Sequence, residues 1–91
     1  MPSIDIHRPH TLSLAEAREV VEKVAERMRD KFGMQSRWEG DTLAFSRPGV
    51  KGGITVLPAE VRVSAELGLM LAPLRNMVEQ EIRRKLDEHF G

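Results

Sequence analysis

Alternating apolar and polar residues, divided by turn signals, fill the middle of this sequence and restrict it to few folds. In the segments that the turns separate between Arg37 and Leu67, apolar residues recur at every second position. This is the period of a strand with one buried face. Gly40-Asp41 and Pro58-Ala59 are typical two-residue turns. The glycine-containing segment 47–52 separates the strands between them. We therefore predict four consecutive antiparallel strands.

The turns also predict how these strands pair. With Gly40-Asp41 as a loop, Trp38 lies opposite Leu43, and with Pro58-Ala59 as a turn, Val56 lies opposite Val61. The two registers place the apolar residues on one face, and a slip of one residue would invert that face. Trp38 is on the apolar face, so we expect it to be largely buried against the helices.

Two amphipathic helices flank the predicted strands. Ser13 and Glu16 form the capping pattern S-x-x-E and Gly33 is a typical end, which predicts a helix at about residues 14–32. We expect the last helix to begin at Pro73, since proline suits a first helical turn. Its predicted apolar stripe consists of Leu74, Met77, Val78, Ile82, Leu86 and Phe90.

A short alternating segment, SIDIHR, precedes Pro9 and completes the order β-α-β-β-β-β-α. One apolar sheet face and two amphipathic helices predict an α+β fold. We expect a single domain over residues 1–91, built as a two-layer sandwich with an antiparallel sheet and both helices on one face. The glycine-rich segment 47–52 leads into a strand and not into a helix, so we interpret it as a turn and not as a phosphate site.

The charge and composition exclude several classes of protein. Lys plus Arg equals Asp plus Glu at 14 each, whereas a general nucleic-acid binder needs a basic excess. Cysteine is absent, which excludes disulfides and thiolate chemistry. No apolar run approaches the ~20 residues of a membrane span, and no secretory signal is visible. We therefore expect a soluble cytoplasmic protein that binds no nucleic acid.

The candidate chemical groups do not assemble into a catalytic or metal site. His7 and His10 are a possible ligand pair, but a metal needs a third and usually a fourth ligand. We interpret them as a surface histidine and a histidine that orders the helix entry. Glu81 could approach the core edge, but it lies two residues from Glu79, and that spacing points two helical carboxylates in different directions. We predict no enzyme activity, cofactor or metal.

The apolar segment LGLMLAPL, residues 67–74, is the most unusual stretch. If the strand pattern continues, Leu69 and Leu71 point inward and Met70 points outward. One interpretation is core plus scattered surface residues, which is common. The other is an apolar contact surface formed by Leu57, Leu69 and Met70. The sheet must also have a free edge, so we consider a homodimer through that edge or through this segment.

Several motifs together resemble the polyhydroxyalkanoic acid system (granule-region) family of small bacterial proteins, over nearly the whole chain. The N-terminal motif I-x-I-x-R-x-H-T-L is matched by Ile4, Ile6, Arg8, His10, Thr11 and Leu12. The family's alanine- and arginine-containing helix is matched by Ala15, Ala17 and Arg18. The hairpin motif W-x-G-D-x-L-x-F is matched by Trp38, Gly40, Asp41, Leu43 and Phe45. The strand motif G-x-I-x-V is matched by Gly52, Ile54 and Val56. The motif L-G-x-x-L-A-P is matched by Leu67, Gly68, Leu71, Ala72 and Pro73, and the helix motif E-x-x-I by Glu79 and Ile82.

The resemblance implies a link to storage-polyester metabolism and brings no catalytic residues. It implies a non-enzymatic accessory protein that acts by contact with proteins or with the surface of polyhydroxyalkanoate granules. Its expected location is the cytoplasm, with association with the granule as an option. The element order also looks like a reduced helix-grip fold. By that analogy, the alternative is a small carrier that binds an apolar or acyl ligand between sheet and helices. A structural domain of another pathway is a third possibility.

Overall fold

The computed structural model describes residues 3–90 and contains the predicted elements in the predicted order. The strands are β1 (Ser3–Pro9), β2 (Gln35–Glu39), β3 (Thr42–Arg47), β4 (Val50–Val56) and β5 (Glu60–Leu67). The helices are α1 (Leu14–Phe32) and α2 (Arg75–Phe90), and a 3₁₀ helix (Leu69–Leu74) precedes α2.

The five strands form one antiparallel sheet in the order β1-β5-β4-β3-β2. Strands β2 to β5 follow each other as a meander because their connections are short, and β1 adds to β5 at the far side. Both predicted registers are confirmed: Trp38 lies opposite Leu43, and Val56 lies opposite Val61. The sheet edges are therefore β1 and β2.

The core lies between α1, α2 and one face of the sheet. Strand residues alternate between buried and exposed, as in β5, where Val61 and Val63 are buried and Arg62 is exposed. Val21 of α1 and Ile82 of α2 belong to the same packed cluster as these strand residues. The opposite sheet face carries mainly polar or small side chains, which confirms the two-layer α+β architecture.

Helix α1 begins and ends where its sequence predicts. The Ser13 hydroxyl accepts a hydrogen bond from the Glu16 N–H at 3.2 Å, and the Glu16 carboxylate accepts one from the Ser13 N–H at 3.2 Å. At the other end Gly33 has φ 70°, and its N–H donates to the Arg29 carbonyl at 2.9 Å. These bonds satisfy backbone groups that a helix leaves without partners.

The connection between β5 and α2 differs from its prediction. The chain forms a 3₁₀ helix that contains Pro73, and α2 begins only at Arg75. Strand alternation therefore stops at Leu67, and Leu69 is 78% exposed instead of pointing inward. Met70 points outward as expected and is 92% exposed. Met77, predicted within the apolar stripe of α2, is about half exposed.

Candidate contact surface

Two adjacent apolar side chains, Leu69 and Met70, protrude at the end of the sheet where β5 finishes; we call them the apolar tip. Their exposure follows from the 3₁₀ helix, in which residues three apart lie on one side. Leu71 and Leu74 share such a side and pack against the core. Leu69 and Met70 are consequently directed away from the core.

Backbone contacts hold the apolar tip to the neighbouring β3–β4 turn. The Gly68 N–H donates to the Gly49 carbonyl at 2.7 Å, and the Leu71 N–H donates to the Gly68 carbonyl at 3.0 Å. Gly49 has φ 89°, and a Cβ there would lie 2.8 Å from Cδ1 of Leu71. The turn therefore needs glycine for its backbone conformation, and a side chain there would also have to displace the end of Leu71. The backbone on both sides of the tip is therefore hydrogen-bonded.

Charged side chains lie beside the base of the tip. A shallow depression of about 500 Å³ beside Gly68 is lined by Arg47, Lys51 and Glu66, among others. Arg47 also donates to the carbonyl of Phe32 at 2.8 Å, which joins the end of α1 to β3. An apolar centre with a polar margin is the usual composition of a protein contact surface.

The third predicted contact residue, Leu57, lies at the opposite end of the sheet. It follows β4, whereas the tip lies next to the start of β4. At roughly 3.3 Å per residue, the length of β4 separates Leu57 from the tip by about 20 Å. Leu57 is half-buried, and its N–H donates to the Glu60 carbonyl at 2.9 Å. The structure therefore brings Leu69 and Met70 together but leaves Leu57 outside their surface.

The two histidines of the HRPH segment point in different directions. His10 is buried, its Nδ1 accepts from the Leu12 N–H at 3.1 Å, and its Nε2 lies 2.9 Å from the Leu57 carbonyl. His7 is exposed, with Asp5 at 3.3 Å and Glu60 at 3.4 Å. Within residues 3–90, no three His, Asp or Glu side chains are placed to hold a metal ion.

A hydrogen bond from Arg62 lowers the pKa of Glu60 below its usual range, and His7 adds to this effect. Glu60 is therefore anionic at neutral pH and pairs with Arg62 and His7 in a row of polar groups along β1 and β5. Such exposed pairs contribute little to stability. His7 lines a depression of about 110 Å³ together with Arg8 and Asp87, which is smaller than the roughly 300 Å³ of an ordinary ligand pocket.

Glu81 is the one buried acidic side chain within the described residues. It is 4% exposed and bridges the helices: Lys31 Nζ lies 2.6 Å from one oxygen and Arg27 Nε lies 3.0 Å from the other. The hydrogen bonds from Lys31 and then Arg27 lower its pKa to about 2. Glu81 therefore stays ionised near neutral pH and is unsuited to general acid–base catalysis.

The sequence signal for this bridge was incomplete. Glu81 is next to Ile82 of the predicted apolar stripe of α2, and this position predicts that Glu81 lies near the edge of the core. Arg27 and Lys31 are four residues apart on α1, a spacing that points both side chains along one helix face. Only the packing of α1 against α2 shows that these two cations meet Glu81.

Trp38 is half-buried and packs against the core, on the predicted face of the sheet. It has the predicted register and faces the helices, but β2 is an edge strand, so one side of the indole has no neighbouring strand. The Arg18 guanidinium lies 3.9 Å from the ring centroid, and the indole Nε1 donates to Glu22 at 2.9 Å. A groove of about 230 Å³ runs beside it between α1 and β2, with Ala25 and Leu43 among its lining residues.

Comparisons with known proteins give one result. The model of a protein family described as "Putative polyhydroxyalkanoic acid system protein" matches residues 4–90. No curated protein and no solved structure matches the chain. Within residues 3–90, neither helix is both long and apolar enough to cross a membrane.

Proposed function

Since this chain belongs to the family of polyhydroxyalkanoic acid system proteins, we propose that it is a non-catalytic accessory protein that binds the surface of storage-polyester granules. A polyhydroxyalkanoate is an aliphatic polyester, so its surface is largely apolar. The observation that carries the proposal is the apolar tip, with Leu69 78% and Met70 92% exposed side by side. Isolated apolar residues are common on protein surfaces, but two adjacent ones on a hydrogen-bonded base form a contact point.

The size of the tip predicts reversible binding. Full burial of a leucine or methionine side chain is worth roughly 1.5–3 kcal/mol. The two side chains together therefore supply about 3–6 kcal/mol before the cost of immobilising the protein. This is enough for adsorption that reverses on dilution and too little for permanent anchoring. Additional contacts from the charged margin would increase the affinity.

The buried polar groups support a contact function over a catalytic one. In the described part of the chain these groups are His10 and Glu81. Both ring nitrogens of His10 and both carboxylate oxygens of Glu81 have protein partners. A catalytic acid or base needs an atom that is free to reach substrate, and neither group offers one.

The carrier alternative has less support. A ligand between sheet and helices would need a pocket of roughly 300 Å³ or more. The side chains at that position, including Ile54, Val63 and Ile82, are each 0% exposed and pack in one cluster. The depressions beside Gly68 and Trp38 lie at the surface, outside the space between sheet and helices.

Sedimentation with protein-free polyhydroxyalkanoate particles tests the proposed contact. The double variant Leu69→Lys/Met70→Lys should lose most of its binding, while circular dichroism shows the same fold as the wild type. Leu14→Lys is the matched control, because Leu14 is 46% exposed and lies on the first turn of α1. Leu57→Ala tests the other predicted contact residue and should bind normally.

Two results would reject this function. One is wild-type protein that does not sediment with the particles. The other is a tip variant that binds as strongly as Leu14→Lys. A loss of binding in Leu57→Ala alone would transfer the contact to the opposite end of the sheet.

A further inference from the structure

Strand β2 has an outer edge that pairs with no other described strand. In a two-residue hairpin the pair that flanks the loop exchanges both backbone hydrogen bonds, here Glu39 with Thr42. Bonded and non-bonded pairs then alternate, so Arg37 also directs its backbone groups toward β3. Ser36 and Trp38 consequently direct their N–H and C=O groups outward. An edge of this kind invites a further strand.

We propose that this edge binds a second copy of the same chain, antiparallel, with the two-fold axis at Trp38. The two Trp38 residues then form a hydrogen-bonded pair through their outward backbone groups. Each Arg37 lies opposite Glu39 of the second copy, in a non-hydrogen-bonded pair, where opposing side chains are closest. The symmetry produces this ion pair twice.

The charges of β2 select this register over its neighbours. Arg37 and Glu39 flank Trp38 on the open face of the sheet, and their side chains are 81% and 55% exposed. An axis at Arg37 would place arginine opposite arginine, and like charges directly opposite are destabilising. An axis at Ser36 would give Glu39 no cationic partner in the second copy, only Arg37 of its own chain at 3.6 Å. Charged edge residues usually prevent strand pairing, but this pair is complementary to itself.

The half-buried indole gives independent support. Trp38 packs against the core but is only half-buried, and β2 ends the sheet beside it. A second copy would bring its own Trp38 beside the first and join the two grooves between α1 and β2. The joined grooves would cover both indoles, which explains a large aromatic residue on an edge strand.

The other edge of the sheet is less suited to pairing. Strand β1 ends at Pro9, which has no N–H to donate. Helix α2 packs along β1, and Arg8 lies 3.0 Å from Asp87. The dimer edge is therefore β2. Leu69 and Met70 lie outside β2, so this inference does not depend on the proposed granule contact.

Charge exchange at β2 tests the proposal. Sedimentation-equilibrium ultracentrifugation over a dilution series should show a wild-type dimer. Arg37→Glu and Glu39→Arg should each weaken dimerisation about tenfold or more, because two attractions become two repulsions. The combined variant Arg37→Glu/Glu39→Arg should restore it. Lys23→Glu, an exposed residue of α1, changes the net charge as Arg37→Glu does and should leave the dimer unchanged.

A second measurement locates the interface. Amide hydrogen exchange at Ser36 and Trp38 should slow as protein concentration rises, because the proposed dimer bonds these two N–H groups. The chain contains one tryptophan, so its fluorescence should shift to shorter wavelength over the same range. A wild type that is monomeric at millimolar concentration overturns the proposal. So do single variants that dimerise normally, or a combined variant as weak as the singles.

Discussion

The imidazole of His10 uses both ring nitrogens inside the protein, and this decides its tautomer. Nδ1 accepts from the Leu12 N–H, so the proton resides on Nε2, which donates to the Leu57 carbonyl at 2.9 Å. The ring also stacks on Phe90, with centroids 5.2 Å apart. One side chain thereby connects the entry of α1, the end of β4 and the end of α2.

Replacing His10 should destabilise the fold in two separable steps. We expect His10→Ala to lower the free energy of unfolding by about 3 kcal/mol, because two backbone groups lose their partners. His10→Phe loses the same bonds but keeps an aromatic contact with Phe90, so it should be about 1 kcal/mol more stable than His10→Ala. Urea unfolding of both variants measures the difference. Equal stability of the two would show that the stacking contributes nothing.

At the scale of the element, strand β4 carries two adjacent glycines in different surroundings. A Cβ on Gly52 would collide with the Ser64 carbonyl and lie 2.7 Å from Cα of Ala65. These are atoms of the neighbouring strand β5 and cannot move without shifting the sheet. On the other face, a Cβ on Gly53 would lie 3.0 Å from Cγ2 of Thr42, a side chain on the open surface.

Alanine substitution should therefore affect the two glycines unequally. We expect Gly52→Ala to cost about 3 kcal/mol, because overpacking against backbone forces β4 and β5 apart. Gly53→Ala should stay within about 1 kcal/mol of the wild type, since the side chain of Thr42 can adjust. Thermal unfolding of the two variants measures this contrast. A Gly52→Ala protein as stable as Gly53→Ala would contradict the close approach of β4 to β5.

At the scale of the whole molecule, Glu81 joins the two helices that cover the sheet. Its hydrogen bonds with Lys31 and Arg27 require the ionised carboxylate. Its folded-state pKa of about 2 lies below the ordinary value of 4.5. A carboxyl with a lowered pKa binds protons more weakly in the folded state than in the unfolded state. Its stabilisation is complete above about pH 4.5 and is lost as the pH falls toward about 2.

Glu81→Gln should lower the melting temperature at pH 7 and flatten the loss of stability between about pH 4.5 and pH 2, since the titrating group is gone. Glu88→Gln is the control, because Glu88 is an exposed carboxylate on the same helix. Its melting curve should follow that of the wild type across the pH range. If the melting temperature of Glu81→Gln fell between pH 4.5 and pH 2 as steeply as that of the wild type, Glu81 would not control stability in acid.

The sequence by itself determined the local structure of this protein. Capping residues set the limits of α1, and the two-residue turns set the strand registers, because both signals act between residues close in the chain. The alternation of apolar and polar residues along the strands showed which face of the sheet packs against the core. Resemblance to a family, and not residue chemistry, indicated the link to storage polyesters, and the family match confirms that membership.

The tertiary structure alone decided which surfaces are free. Trp38 has the pattern of a core residue, but its burial depends on the position of β2 in the sheet, which the order of strands along the chain does not state. Glu81 is held by cations 50 and 54 residues away, a contact that exists only after α1 and α2 pack. Leu69 is exposed because the backbone turns into a 3₁₀ helix after Leu67. In each case the deciding neighbour is distant in the chain or the backbone changes its period, and local patterns carry neither kind of information.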